Sequence, residues 1–402
     1  MKSSDLKYLF ENIPYTGKNI YPQDIEIENV AMFKDSMKDH GFNYEYEKLD
    51  TGFMSANLLR QDNSKIAGVK NPYYPTNSRL SFNIARNKFE TERYLRAAGV
   101  PTTNSKKFAL DQKEMAKKEA TSFEGGIVIK PLNLALSQGV YSNVTIDTFD
   151  HYWNLCSNII RKNKRKGKHI LVQEYIEGFE ARVTILEGKV VSVMTRLPGN
   201  VTGDGNSTIE ELIDEKNERK KQCGFMRKYP IKKTKVIESF LEKSGYSYNS
   251  VPAKDEHVLL LSVSNLVNGG EIVDISDLVS EEIKETALDA LAALPGMNCG
   301  GIDIMIKGFD DTTPKIIEVN AFPLLSVTRY PTYGKPSKAI EYFIDATIVR
   351  DQYMNNIDNG YEIENKDEIL SNYFSFFERK QRLAVNQFIK FNSKIKKPQQ
   401  LS

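Results

Sequence analysis

Cysteine is scarce in this chain: Cys156, Cys223 and Cys299 are the only three in 402 residues. They lie far apart, form no CxxC pair and cannot all be bridged, so the chain is expected in a reducing compartment with buried structural thiols. An excess of one charge is also missing. The 55 Lys and Arg against 53 Asp and Glu leave a formal charge of +2, which gives no global case for nucleic acid or an anionic membrane as partner. Long apolar runs are absent: the patch around residues 257–267 is interrupted by polar residues and too short to span a bilayer. The opening MKSSDLKYLFENIPY lacks the apolar segment of a signal peptide. These absences lead to the expectation of a cytoplasmic protein. Neither GxGxxG after a first strand nor GxxxxGK[ST] occurs, so Rossmann and P-loop sites are excluded, and no internal repeat is visible.

What is present can build a sizeable core, since 40% of residues are hydrophobic and 27% charged. The length suits two or three lobes. Helices are expected over 29–40, with Asn29 as cap and Gly41 as stop, and over 87–98, where Phe89, Tyr94, Leu95 and Ala98 share a face and Gly99 ends the run. Further helices are expected over 115–121, 149–162, 207–216 and 279–294. Strands are expected over 65–69, 126–130, 169–175, 181–186, 189–195, 257–262 and 271–275. Residues 162–168 read as a basic solvated turn, because no aromatic residues accompany the lysines. The order is irregular, with many antiparallel hairpins, which predicts an α+β or mixed α/β fold. The boundaries expected are an N-terminal domain 1–84, a small lobe 85–172 with a lid over about 109–172, a large lobe 173–350, and a helical tail 351–402 whose helix covers 368–390.

One constellation carries chemistry. GIDIMI at 301–306 alternates, with Ile302, Ile304 and Ile306 on one side and Asp303 and Met305 on the other. KIIEVN at 315–320 alternates too, placing Ile316, Glu318 and Asn320 together. If Ile306 opposes Lys315, Asp303 opposes Glu318. Two carboxylates and a carboxamide suit Mg²⁺, whose octahedron water and phosphate oxygens would complete. On spacing alone the same face also fits a solvated hairpin.

The ordered segments RNKFETERYLRAAGVPTT, VIKP, VQEYIEGFEARVTILEGKVV, RLPGNVTGDGNSTIEELIDEKN, SVPAKDEHVLLLSVSNLVNGGEIVDISD, CGGIDIMI and IIEVNAFP resemble the ATP-grasp superfamily over roughly residues 80 to 350. Within it they are similar to cyanophycin synthetase and to the C-terminal half of bifunctional glutathione synthetase. The resemblance implies nucleotide held between two α+β lobes, behind an N-terminal pre-ATP-grasp domain. It implies ATP with two Mg²⁺ ions, or Mn²⁺ in their place, bound by Asp303, Glu318 and Asn320. Lys88 is implied as the first nucleotide-contacting lysine and Lys130 as the lysine on the α-phosphate side and adenine, with Glu174, Tyr175 and Ile176 as the adenine hinge and Ser137 and Gln138 as lid donors. Arg182 and Arg196 would neutralise phosphate and substrate carboxylate, the Gly203–Asp204–Gly205 turn would flank the substrate, and Asn265 with Gly269 and Gly270 would line the cleft. Ser326, Thr328 and Arg329 would face the substrate, with Arg219 and Arg227 as further candidates.

Two departures from the family stand out. The lid loop, residues 132–140, has Gly139 as its only glycine, and Leu261 and Val263 occupy positions where the family often has an arginine and an asparagine. The activity implied is amide or peptide bond formation between amino acid-like substrates through an acylphosphate, with a homodimer as the common assembly. The alternatives are a kinase on the same scaffold and a weakened nucleotide-binding regulatory module.

Overall fold

The computed structural model describes residues 1–15, 17–21, 25, 28–132, 134, 138–163, 168–264 and 266–393. Its first helix, α1 (Ser3–Asn12), is followed by α2 (Asn29–Asp39) and an antiparallel sheet of β1 (Tyr44–Lys48), β2 (Met54–Leu59) and β3 (Lys65–Lys70). Leu6 and Leu9 of α1 enter the same core as Phe179, Val183 and Ile304.

Asn29 does not cap α2. The side chain of Glu28 accepts from the Ala31 N–H instead. Asn29 is buried, its amide donating to the Pro323 carbonyl at 2.8 Å and accepting from the Leu325 N–H at 2.8 Å. A residue with cap propensity is used to pin a distant loop, because that loop has unpaired backbone groups to satisfy.

After α3 (Arg79–Ala85) comes α4 (Lys88–Ala98), capped by Asn87 and closed by Gly99 at φ 82°. The small lobe holds β4 (Ser105–Ala109), α5 (Lys113–Ala120), β5 (Ile127–Pro131), β6 (Tyr141–Val144), α6 (Phe149–Lys162) and β7 (His169–Glu174). Its antiparallel sheet has the order β4-β7-β5-β6. Ile129, Phe149, Trp153 and Val172 form a core of its own. Residues 164–167 of the expected basic turn lie outside the described residues.

The large sheet runs β12-β9-β8-β13-β14 and is antiparallel throughout. Its strands are β8 (Phe179–Leu186), β9 (Lys189–Leu197), β12 (Glu271–Asp274), β13 (Cys299–Ile306) and β14 (Lys315–Asn320). Between β9 and β12 come β10 (Asn200–Thr202), α7 (Ile209–Lys221), α8 (Lys235–Lys243) and β11 (His257–Leu259), with β10 and β11 paired. β11 is shorter than the 257–262 expected. Thr208 starts α7 through a capping box with Glu211. α9 (Glu281–Ala292) covers the core face of the large sheet, burying Ile283, Ala287 and Leu291.

The chain ends in α10 (Ser326–Arg329), α11 (Ala339–Asn355) and α12 (Lys366–Asn392). α11 runs straight across the expected 350/351 boundary, with Ile348, Val349 and Asp351 all buried. α12 lies on the core, contributing Phe376 and Leu383 to it. All three cysteines are free and buried; burial raises the Cys156 thiol to about 12. Among the described residues, no helix is long and apolar enough to cross a membrane.

Candidate active site

The floor of the site is the β13–β14 hairpin. Asp303 faces Glu318, as expected, but Met305 rather than Ile306 faces Lys315. The expected register slips because an irregularity between Asp303 and Ile304 inserts one residue of β14. The slip moves Ile316 opposite Ile304, where both are fully buried. Ile316 therefore leaves the face of Glu318 and Asn320 for the hydrophobic core, and the polar face keeps only its polar members.

Arg182 stands opposite Asp303 on β8. Its Nε and Nη2 donate to the two carboxylate oxygens at 2.6 and 2.7 Å, and Asn320 Nδ2 donates to Asp303 Oδ2 at 3.2 Å. Burial acts to raise the Asp303 carboxyl; the charge and hydrogen bonds of Arg182, with Arg196 beyond, outweigh it and hold the group below its ordinary range. Gly301 lets this cluster close up, since a Cβ there would meet Pro323 at 3.0 Å and Arg182 at 3.5 Å. Arg196 joins the same face from β9. It pairs with Glu180, reaches Asp303 at 4.0 Å, and its Nε is buried without an acceptor.

The opposite wall comes from α4 and β5. Lys88, in the first turn of α4, donates to Glu318 Oε1 at 2.7 Å. Lys130 on β5 is buried and donates to Gln173 Oε1 at 2.8 Å. Burial, and then the charge of Lys88, bring its pKa down to about 8. Gln173 is itself held, its amide donating to Thr103 and to Ser105 Oγ at 2.8 Å. Behind them Glu92 accepts from Thr103 Oγ1 at 3.1 Å and from the Ser105 N–H at 2.8 Å. Gln173 and Glu92 were not among the expected site residues. A signal existed for Glu92: it is a carboxylate three residues before Leu95, on the inward side of an amphipathic helix.

At the hinge, Glu174 spends its carboxylate on the Asn104 N–H at 3.0 Å and Lys315 Nζ at 3.0 Å, tying the two lobes together. The Tyr175 N–H donates to the Gly126 carbonyl at 2.9 Å, and Ile176 is half-buried. Asp204 holds its own turn by accepting from the Asn206 and Ser207 N–H groups at 2.8 and 2.7 Å, which brings its carboxyl to about 2. Arg329 donates to Glu341 of α11 at 2.6 Å rather than to the Arg182–Asp303 group. Arg219 pairs with Glu215 of its own helix at 3.3 Å. Gln138 is exposed in a turn, while Ser137 and Asn265 lie outside the described residues.

Among the described residues no three His, Cys, Asp or Glu side chains gather as a complete metal cage. Two carboxylates and a carboxamide on one surface are an incomplete set of hard oxygen donors, and such a set fits a magnesium ion that shares its remaining positions with phosphate and water.

Residues 85–324 match the model of the ATP-grasp domain, and the chain belongs to that family. It is 29% identical over 338 residues to the glutathione biosynthesis bifunctional protein GshAB of Clostridium perfringens, covering 80% of this chain and 41% of that protein. It is 31% identical over 279 residues to cyanophycin synthetase of Synechocystis sp., covering 66% of this chain and 30% of that protein. The crystal structure of a bifunctional glutathione synthetase from Pasteurella multocida shares the fold, with a TM-score of 0.60 at 24% identity over 80% of this chain and 44% of that one. The chain thus spans less than half the length of these relatives.

Proposed function

We propose that this chain is an ATP-dependent carboxylate–amine ligase acting on amino acid-like or short peptide substrates. The observation that carries the reading is the single polar face on which Asp303, Glu318 and Asn320 meet Arg182 and Arg196, with Lys88 reaching in from α4. Magnesium, when bound to the three oxygen donors, would neutralise charge on the transferred phosphoryl group. The chain's own cations do the rest. Lys88 and Lys130 hold the nucleotide phosphates, and Arg196, with an Nε–H still unpaired, holds an oxygen of the substrate carboxylate. Attack of that carboxylate on the γ-phosphorus gives an acylphosphate and ADP. An amine then displaces phosphate, forming the amide and losing a proton. No protein nucleophile is required; the rate comes from orientation and from fixed charges. Closure of the small lobe over the acylphosphate keeps water from hydrolysing it. The relatives' printed names, glutathione biosynthesis and cyanophycin synthesis, support amino acids and short peptides as the substrate class. The cytoplasm, where ATP and free amino acids occur together, is the setting this chemistry fits.

The test is Mg²⁺-dependent ADP release with a pooled amino-acid mixture, with products resolved by mass. A new amide is expected, and Glu318→Ala should abolish ADP release while leaving the circular dichroism spectrum intact. Undiminished ADP release in that variant would remove Glu318 from the metal site. A phosphorylated product with no amide would make the chain a phosphotransferase instead.

A further inference from the structure

α12 is held firmly by one side and bare on the other. Its inner side buries Ile369, Phe376, Leu383 and Gln387. Gln387 donates to the Tyr94 and Ala293 carbonyls at 3.0 and 2.7 Å, and Lys380 donates to the Met297 carbonyl and Asn298 Oδ1, both at 2.6 Å. The outer side carries Phe374, Phe377, Val385 and Phe388, all exposed, with Phe388 71% accessible. The nucleotide site makes no use of this face.

The order of these residues is self-complementary. At about 100° per residue, positions 374, 377, 381, 385 and 388 fall in one stripe roughly 80° wide and about 21 Å long. The stripe reads the same from either end: Phe, an apolar residue, Gln381, an apolar residue, Phe. An interface between two copies of one chain about a twofold axis must be self-complementary, and antiparallel helices supply that symmetry. With the axis at Gln381, Phe374 meets Phe388 of the other copy and Phe377 meets Val385. The charges agree with this register. Glu378, exposed and without an ion pair among the described residues, comes beside Arg382 of the second copy, and the contact occurs twice. Arg382 is available for it: it touches Asp289 at 2.9 Å, yet its side chain stays 60% exposed. Exposed Tyr353, ring-packed on Phe374 at 5.2 Å, extends the patch at one end. We propose that the outer face of α12 is a homodimer interface, two copies packing antiparallel about a twofold axis through Gln381.

An interface this narrow lies at the small end of stable protein contacts, so the dimer should dissociate upon dilution through the micromolar range. Sedimentation velocity on the full chain measures this directly. Phe377→Glu is expected to raise the dissociation constant at least tenfold. Glu378→Arg should weaken association, and adding Arg382→Glu should restore it. The three native thiols are buried, so a single introduced cysteine reports alone. Gln381→Cys should be crosslinked to dimer by a short bismaleimide, while Ser375→Cys, exposed on the same helix but off the stripe, should not. A chain that stays monomeric at 100-fold higher concentration would overturn the proposal, as would a dimer indifferent to Phe377→Glu or equal crosslinking at both cysteines.

Discussion

Arg182 clamps both oxygens of Asp303, at 2.6 and 2.7 Å, across the β8–β13 pair. A residue suited to a phosphate and a residue suited to a metal ion thus neutralise each other, and Lys88 and Glu318 do the same at 2.7 Å. Charges of both signs can be kept in a buried cleft only when paired. In the proposed reaction, phosphate would take the place of the carboxylates beside Arg182 and Lys88, and its cation the place of the two bases beside Asp303 and Glu318, so each charge would keep a partner of opposite sign.

The clamp predicts a non-additive pair of mutations. Asp303→Ala leaves the Arg182 guanidinium buried without its partner and is expected to cost about 3–5 kcal/mol in unfolding free energy. Adding Arg182→Met should return most of that stability, while ATP turnover stays lost in both variants. Urea denaturation of the two single variants and the double variant gives the coupling energy, and simple additivity would contradict the clamp.

Lys130 predicts a pH dependence. Burial and Lys88 depress it to about 8, against the opposing pull of Glu318 and Glu92. Its amine loses charge as pH rises through that value, so nucleotide affinity should fall by up to about tenfold per pH unit above it. Stability runs the other way. The folded value lies below the ordinary lysine value of 10.5, so burial of the charge is a full cost below about pH 8 and is relieved between there and 10.5. Calorimetric titration of ATP across this range checks the first point. Lys130→Arg, which stays charged, should flatten the profile; an unchanged slope would place the titration elsewhere.

Gln173 predicts a positioning effect. Gln173→Leu removes the acceptor of a buried ammonium, an expected loss of about 1–3 kcal/mol. Because the lysine remains but is no longer aimed, KM for ATP should rise about tenfold with a smaller change in kcat. Glu92→Gln, one step further back, should shift KM in the same direction by less. A fall in kcat alone would point to a role in chemistry rather than in nucleotide placement.

Two glycines of one turn should respond differently. A Cβ on Gly203 would sit 2.1 Å from the Ala253 carbonyl oxygen, so Gly203→Ala requires the backbone to move. Gly205 has φ 81° and nothing nearer than 3.6 Å, so its alanine meets only the left-handed penalty, roughly 1–2 kcal/mol. Thermal unfolding should rank Gly203→Ala well below Gly205→Ala, and equal midpoints would show that the turn yields.

The sequence alone determined the local elements, because their signals are local. Asn87 and Gly99 bracket α4, Thr208 and Glu211 start α7, and alternation in GIDIMI separates Asp303 from the isoleucines. It also brought Asp303 opposite Glu318, and the ordered motifs pointed to ATP-grasp. Only the tertiary structure decided the rest. The irregularity that sends Ile316 into the core depends on how β14 packs against helices, and no period of two reports it. Asn29 carries a cap residue's chemistry but serves a loop almost 300 positions away. The partners of Lys130 and Arg196, Gln173 and Glu180, are unremarkable polar residues until the sheets bring them together. Buried charge must be paired wherever the fold places it, and that placement is a property of long-range packing rather than of spacing along the chain.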